Sequence, residues 1–240
     1  MKLYRALQSQ GFGSRKACRL RINKGEVTVN GALCDDPDTE VDPADLELTV
    51  DGVSWRYRDK VYVLLNKPAG YECSHRPSHH PSVFALLPPQ FVERGVQCVG
   101  RLDQDTTGVL LFSDDGQFIH RLISPKKGIA KVYRAVCAEP VTDALVEALR
   151  SGVQLSDEPR PIAALACDAV DSHTLRLVLA EGKYHQVKRM VAAAGNHVER
   201  LHREAVGGLE LPADLPAGAW RWLETADLEK LEHAWPSATS

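Results

Sequence analysis

A short run of charged residues between two glycines carries the most chemistry in this 240-residue chain. Arg101 and Asp103 flank Leu102, and a turn rich in threonine then leads into an apolar strand predicted at residues 109–112. Alternate residues of an extended segment share a face, so the guanidinium and the carboxylate point the same way while Leu102 points into the core. A carboxylate beside a cation can act as a nucleophile or an electrostatic anchor. An aspartate at a strand end also commonly satisfies turn amides.

The segment around this carboxylate reads G-R-L-D-Q-D-T-T-G-V-L-L-F-S-D-D-G over residues 100–116. It resembles the signature of the pseudouridine synthases, in the branch of that family that modifies ribosomal RNA. The resemblance implies that Asp103 is the catalytic carboxylate. A second motif of the family, N-K-P-x-G, is matched at residues 66–70, directly after a predicted strand.

Two more family motifs supply partners for Asp103. The sequence G-K-Y-H-Q-V-K-R-M resembles the motif whose basic residue pairs with the catalytic aspartate, which implies Lys188 in that role, with the neighbouring Arg189 as the alternative. A K-x-Y element at Lys131 and Tyr133 implies that Tyr133 stacks on the target base. A flipped-out base needs such a π-face because it has lost its stacking neighbours. Lys131 and Arg189 are further candidate RNA contacts.

The implied reaction converts uridine into its C5-linked isomer and needs no cofactor and no metal. Asp103 must be ionised, since a protonated carboxyl can neither attack nor stabilise positive charge on the sugar. Positive charge from Lys188 and Arg101 favours that ionised form. Arg101 is alternatively placed to help displace the base or to touch a backbone phosphate. Residue types leave open whether Asp103 adds to the ring, attacks the sugar carbon or abstracts a sugar proton.

Two positions within the third motif relate the chain to one branch of the family. Lys188 replaces the arginine that is usual in related branches, and His185 precedes Gln186. Both features resemble the enzymes that act on the small ribosomal subunit, which implies one uridine of 16S rRNA, uridine 516, as the target. A uridine of the large-subunit rRNA is the alternative substrate. The expected partner is ribosomal RNA or a pre-ribosomal small-subunit particle.

Residues 1–58 are predicted to form a separate RNA-binding module. The spacing of apolar residues predicts a first helix before residue 11, and Ser14 is a suitable N-cap for a second helix that ends near Asn23. The Asn30-Gly31 pair predicts a hairpin. The order helix, helix, hairpin resembles the S4 domain, an RNA-binding fold. The opening reads Lys2-Leu3-Tyr4 where that family usually has R-L-D.

The formal net charge of the whole chain is −3, but within this module basic and acidic residues are sharply separated along the sequence. Residues 1–34 hold seven Lys or Arg and one acid, whereas residues 35–51 hold eight acids and no Lys or Arg. Such a cationic patch suits a phosphate backbone, and it is equally typical of a solvated helix face. On the second helix Leu20 is expected to point inward. The candidate RNA contacts of the module are Arg5, Arg15, Lys16, Arg19 and Lys24.

Residues 59–240 are predicted to form the catalytic domain, so the whole chain is an α+β protein. The resemblance implies a mixed, largely antiparallel β-sheet flanked by helices. The predicted strands are residues 60–66, 109–112, 132–136, 162–166 and 174–179, and the predicted helices are residues 116–123, 142–150, 184–194 and 226–233. The tail from residue 235 onwards is expected to fray.

Composition narrows the class of protein further. No apolar run approaches the ~20 residues that span a bilayer, and the N-terminus lacks the apolar core of a signal peptide, so a cytosolic protein is expected. Six scattered cysteines without metal-type spacing are expected to be reduced. His75, His79 and His80 lie in a proline-rich loop without regular spacing, so no metal site is expected there. A monomer is the expected state.

Two other classes of function fit parts of the sequence. The first is a non-catalytic RNA-binding or assembly factor, which would not need the carboxylate of Asp103. The second is a carboxylate-dependent glycosidase or nucleosidase, which usually needs a second carboxylate within ~5–10 Å as acid or base. Strand alternation lets Asp103 and Asp105 share a face, but the Thr-Thr-Gly sequence that follows suggests that Asp105 caps a turn.

Overall fold

A computed structural model describes residues 1–233 and 235, which divide into two compact units. The first unit combines Met1–Val61 with Leu87–Gln97, and the second combines Tyr62–Leu86 with the chain from Cys98 onwards. The tail that we expected to fray lies, apart from Trp235, outside the described residues.

The first unit contains the predicted helices and hairpin. Ser14 caps the second helix by accepting a hydrogen bond from the amide of Ala17, and the hairpin turns at Asn30 and Gly31, both of which have positive φ. Four antiparallel strands form a small sheet in the order β2-β1-β3-β4. The elements of this unit are α1 (Leu3–Ser9), α2 (Arg15–Asn23), β1 (Val27–Val29), β2 (Ala32–Leu33), β3 (Glu47–Val50), β4 (Val53–Arg56) and α3 (Pro89–Glu93).

The second unit is built on a nine-stranded sheet whose main path runs β13-β5-β7-β11-β8-β10-β9, with β12 beside β11 and β6 beside β7. Its strands are β5 (Tyr62–Lys67), β6 (Gln97–Cys98), β7 (Thr107–Ser113), β8 (Lys131–Cys137), β9 (Ala166–Asp171), β10 (Thr174–Leu179), β11 (Val198–Val206), β12 (Leu209–Glu210) and β13 (Trp220–Trp222). Its helices are α4 (Gly116–Ile123), α5 (Asp143–Ser151), α6 (Gln186–Ala193) and α7 (Thr225–Glu232). The β7–β11 pair is parallel and the neighbouring pairs are antiparallel, which confirms the predicted mixed sheet.

The central strand β7 of the sheet is buried on both faces. In β7 the residues from Gly108 to Ser113 are all buried, and helix α4 packs Phe118 and Leu122 against the same core as Leu111. No helix among the described residues combines the length and the apolarity needed to span a bilayer.

Three local predictions were wrong. The strand expected at residues 162–166 begins at Ala166 instead, because Ile162 forms only an isolated bridge with Val153. Leu20 is 53% exposed, so it does not point inward. The helix expected from residue 184 begins at Gln186, since His185 adopts a left-handed conformation with φ of 48° that interrupts helical geometry.

Gly108 lies where β7 and β11 run close together. It pairs with Arg203 in the parallel β7–β11 ladder and has a φ of +101°. A Cβ at this position would lie 2.2 Å from the carbonyl oxygen of Arg203. Only glycine therefore lets β11 lie this close to the beginning of β7.

Gly108→Ala is expected to lower the free energy of unfolding by about 2–5 kcal/mol, because it adds a clash to an unfavourable φ. Gly116→Ala is the matched control, since a Cβ added at Gly116 would have no neighbour within 4 Å. Urea denaturation of both variants measures the difference. Equal stabilities would show that β11 can move away at no cost.

Candidate active site

A cavity of about 110 Å³ opens on the second unit beside the loop that carries Asp103. The polar and charged residues that line it come from four segments of the chain and are Arg101, Asp103, Thr106, Lys131, Tyr133, Lys183, His185, Gln186 and Arg203. The structure therefore brings together three of the predicted catalytic residues, Arg101, Asp103 and Tyr133. Lys188, the fourth, contacts Asp103 directly.

The backbone of the Asp103 loop is fixed by the side chain of Lys67, which lies at the end of β5. Its Nζ atom donates hydrogen bonds to the carbonyl oxygens of Pro68, Asp103 and Gln104 at 3.1 Å and of Thr106 at 2.9 Å. Lys67 is fully buried, and this burial lowers its pKa. One ammonium group thus joins the end of β5 to the loop before β7.

A thiol supports the same loop from a second direction. The amide of Leu102 donates to the Sγ atom of Cys73 at 3.5 Å, and the Leu102 side chain is buried as predicted. Leu102 lines the cavity together with its neighbours Arg101 and Asp103. This segment is a loop and not a strand.

The carboxylate of Asp103 lies between two basic side chains from the start of α6. Lys188 Nζ is 3.4 Å from Oδ2, and His185 Nε2 is 3.3 Å from Oδ1. The side chain of Asp103 remains 25% exposed. The left-handed conformation of His185 ends the preceding loop so that α6 starts beside the cavity. The arrangement supplies a carboxylate with adjacent positive charge that is still accessible to a ligand.

Lys188 also binds a second carboxylate. Its Nζ atom lies 2.7 and 2.8 Å from the two carboxylate oxygens of Asp105. Burial raises the pKa of Asp105, but the hydrogen bond and charge of Lys188 outweigh this effect, so the pKa lies below its usual value. The turn position expected for Asp105 is therefore only part of its role, because it also holds Lys188 beside Asp103.

Arg189 points elsewhere. Its guanidinium forms an ion pair with Asp157 and donates to the carbonyl oxygen of Tyr184 at 3.1 Å. Of the two basic residues that the sequence offered as partners of Asp103, the structure places Lys188 against it and Arg189 against another acid.

Tyr133 and Lys131 project from β8 onto one face of the sheet. They are two residues apart, so they share a face, and both line the cavity. Tyr133 is 7% exposed and Lys131 is 8% exposed. Lys131 was predicted as an RNA contact, and it lines the cavity as the first residue of β8. Any contact that it makes with RNA is therefore a contact with a nucleotide that has entered the cavity.

The S4-like unit presents its predicted cations around one aromatic ring. The guanidinium groups of Arg15 and Arg19 each lie 5.1 Å from the centroid of Tyr4, and Arg5 donates to the Tyr4 hydroxyl at 3.0 Å. Tyr4 thus occupies the place where the family usually has an aspartate and organises the arginines by cation–π contact. Lys16 and Lys24 are exposed on the same unit.

The acidic segment that follows neutralises part of this basic surface. Arg19 donates to both carboxylate oxygens of Asp38, at 3.2 and 2.8 Å, and Lys2 binds the same carboxylate. The hydrogen bond from Arg19 holds the pKa of Asp38 below its usual range. The sharp charge split in the sequence is therefore partly an internal set of ion pairs, and the exposed cations among the predicted contacts are Arg5, Arg15, Lys16 and Lys24.

Four residues of the site were missed as functional residues by sequence reasoning. Lys67 and His185 stand inside two of the family motifs, N-K-P-x-G and G-K-Y-H-Q-V-K-R-M, so the motifs themselves were the available signal. The ion pair of Asp105 with Lys188 joins positions 83 residues apart. Arg203 lies in β11 outside all of these motifs, and no pattern in the sequence pointed to it.

Comparison with known proteins shows the family of the chain. The family model of RNA pseudouridylate synthases matches residues 61–193, and the S4 domain model matches residues 1–46. The chain belongs to the RNA pseudouridylate synthase family and carries an S4 domain at its N-terminal end. The resemblance drawn from the motifs is confirmed.

Individual relatives match nearly the whole chain. It is 37% identical over 230 residues to ribosomal small subunit pseudouridine synthase A of Escherichia coli strain K12, covering 95% of this chain and 98% of that protein. It is 35% identical to an uncharacterized RNA pseudouridine synthase of Bacillus subtilis, covering 96% of this chain and 98% of that protein. A crystal structure of a pseudouridylate synthase matches with a TM-score of 0.68 and 31% identity, covering 96% of this chain and 99% of that one.

Lys67→Met is expected to lower the free energy of unfolding by about 2–5 kcal/mol, because it removes the hydrogen bonds that the buried ammonium donates to four carbonyl groups. Lys60→Met, at an exposed lysine nearby in sequence, is the control and should stay within about 0.5 kcal/mol of the wild type. Urea denaturation compares the two. A Lys67 variant as stable as the Lys60 variant would contradict the role of the buried ammonium.

Lys188→Met is expected to raise the pKa of Asp105, because burial then acts without the opposing charge. A ¹³C NMR titration of the aspartate carboxyl carbons measures it. Arg189→Met is the matched control, since Arg189 binds Asp157 and should leave the Asp105 titration unchanged. An unchanged Asp105 pKa in the Lys188 variant would contradict the assigned ion pair.

Proposed function

We propose that this chain isomerises a uridine of the small-subunit ribosomal RNA to pseudouridine, with Asp103 as the catalytic carboxylate. The observation that carries the proposal is the position of that carboxylate. It lies 3.3–3.4 Å from two basic side chains and lines the same cavity as the ring of Tyr133. A carboxylate and an aromatic face in one enclosed site suit a reaction on a flipped-out base.

The reaction breaks one bond and forms another without oxidation or reduction. The bond between N1 of uracil and C1′ of the sugar breaks, the base turns, and C5 bonds to C1′. The proton lost from C5 is balanced by one gained at N1. Asp103 in its ionised form stabilises or attacks the electron-poor sugar, and Lys188 favours that form by its positive charge.

Tyr133 and Arg101 take the positioning roles. The ring of Tyr133 supplies a stacking face for the uracil, which limits its escape while it is detached. Arg101 is exposed at the edge of the cavity, where its guanidinium is placed to contact a backbone phosphate of the bound RNA.

The substrate assignment is supported by the relatives and by the first unit. Several proteins 33–37% identical to this chain are named ribosomal small subunit pseudouridine synthase A. Within that class we propose uridine 516 of 16S rRNA as the target, in free rRNA or in a pre-ribosomal small-subunit particle. The S4 unit would hold the RNA through its solvent-facing cations, Arg15, Lys16 and Lys24, together with Arg5.

The glycosidase alternative is disfavoured by the state of the second carboxylate. A glycosidase needs a carboxyl group that is protonated near neutral pH to act as the acid. Asp105 is held in an ion pair with Lys188, which keeps its pKa below the usual value. It is therefore unsuited to donate a proton to a leaving group.

Asp103→Asn is expected to abolish one pseudouridine in small-subunit RNA while leaving RNA binding intact, since only the charge of the carboxylate changes. Pseudouridine mapping of rRNA measures this, from cells whose own copy is replaced by wild type, Asp103→Asn or the control Asp143→Asn, which alters an exposed aspartate of α5. Loss of a pseudouridine from large-subunit RNA instead would show that the substrate is the large-subunit rRNA. An unchanged map would overturn the proposed function and favour a non-catalytic RNA-binding factor.

A further inference from the structure

Two buried cations lie side by side at the wall of the cavity. Lys131 is 8% exposed and Arg203 is 4% exposed, and both line the cavity together with Asp103. Neither belongs to the ion pairs that surround Asp103, which involve Lys188 and His185. The cavity therefore contains more positive charge than its carboxylate uses.

The pairing of β8 with β11 explains how the two cations meet. In that antiparallel ladder Arg203 lies opposite Tyr133, so their side chains project from the same face of the sheet. Lys131 precedes Tyr133 by two residues in β8 and shares the face as well. The ring that stacks on the base and the two cations are thus neighbours on one rigid surface.

The hydrogen-bonding capacity of both cations is largely unused. Arg203 donates from Nε to the carbonyl oxygen of Val109 at 2.8 Å, while its buried Nη2 atom has no hydrogen-bond partner among the described residues. Lys131 Nζ makes one long contact, 3.3 Å to the carbonyl oxygen of Leu122. Neither side chain bonds a carboxylate in the part of the chain that the structure describes.

This arrangement is unfavourable for the free protein. Burying a charge without a counter-charge costs free energy, and two like charges repel. Burial, aided by the charge of Arg203, lowers the pKa of Lys131 to about 8. An anion bound against both groups would offset the desolvation and satisfy the open donors at once.

We propose that Lys131 and Arg203 bind the negative charge of the uracil after it has left the sugar. The proposal rests on the proposed function. When the N1–C1′ bond breaks and its electron pair stays on N1, the base becomes an anion whose charge is shared with O2 and O4. Those oxygens are acceptors for the Lys131 ammonium and the Arg203 Nη2 group. When C5 bonds to C1′ and the C5 proton has moved to N1, the base is neutral again.

The pair would act as preorganised electrostatic catalysts. Donors aimed at a charge that appears only during the reaction stabilise the transition state more than the ground state. Removing one such donor typically slows catalysis by roughly 10²–10³-fold. Binding of the intact RNA should be unaffected, because the uridine is neutral until the bond breaks.

The first test uses small heterocycles and needs no RNA. Barbiturate is an anion at pH 7 that has the pyrimidine ring and the O2 and O4 atoms of uracil with a third oxygen at C6, and uracil itself is neutral there. Calorimetry in a buffer without phosphate should show barbiturate binding at least about 10-fold more tightly than uracil. Lys131→Met should remove that preference, and the control Lys127→Met, at an exposed lysine, should keep it. Equal affinities for the two heterocycles in the wild type would overturn the proposal.

The second test separates a catalytic role from a structural one. Lys131→Met should raise the Tm of the free protein, because it removes an uncompensated buried charge, and should slow single-turnover pseudouridine formation about 100-fold with unchanged RNA affinity. The wild-type rate should fall as pH rises through about 8, where Lys131 loses its proton. Lys131→Arg keeps its charge and should lack that alkaline decline.

The outcomes of these tests distinguish a failure of this proposal from a failure of the proposed function. A Lys131→Met variant that is less stable and fully active would overturn it, as would a rate that rises with pH, which would indicate a neutral lysine acting as a base. Arg203→Met is a second variant, judged only by the barbiturate preference and only if its circular dichroism spectrum is native. An unchanged rRNA map for Asp103→Asn, combined with a Lys131-dependent barbiturate preference, would overturn the reaction and leave the anion site standing.

Discussion

The geometry of the site depends on one buried ammonium group. Lys67 satisfies four carbonyl groups, one just after β5 and three in the loop that carries Asp103. A loop has few hydrogen bonds of its own, so these bonds, together with the one from the Leu102 amide to Cys73, fix the position of the Asp103 backbone relative to the sheet. Because Lys67 belongs to β5, its hydrogen bonds fix the loop to this strand. The carboxylate of Asp103 is thereby held beside α6. Burial of the charge is tolerated because each donor has an oxygen to bind.

The sheet fixes the position of the cations in the cavity, as Lys67 fixes the position of the Asp103 carboxylate. Lys131 and Tyr133 come from β8, and Arg203 comes from β11, yet the antiparallel register places all three on one face. Gly108 permits β11 to lie against β7, and Arg203 in turn donates to the carbonyl of Val109. A change in register of one residue would turn these side chains to the other face of the sheet. The same strand pairing that forms the core therefore also sets the position of the cations.

Sequence reasoning succeeded where the determining interactions are local. The cap at Ser14, the Asn30-Gly31 hairpin and the burial of Leu102 depend on residues a few positions apart, and each is present. It failed for the strand expected at residues 162–166, because an apolar run does not reveal whether a partner strand is available. It also gave no indication of Arg203, whose importance arises only from pairing with β8.

The separation of charge within the cavity is itself maintained by a competing ion pair. A carboxylate and two cations in one cavity would normally form ion pairs with each other, and neither charge would then be available to a ligand. Lys188 and His185 engage Asp103 from α6, and Asp105 holds Lys188 in place. Asp103 is therefore already satisfied on that side, while Lys131 and Arg203 keep open donors on the sheet. The reaction proposed above develops positive charge on a sugar and negative charge on a base, so it would need both groups at once, and the second carboxylate would then serve it without touching the substrate.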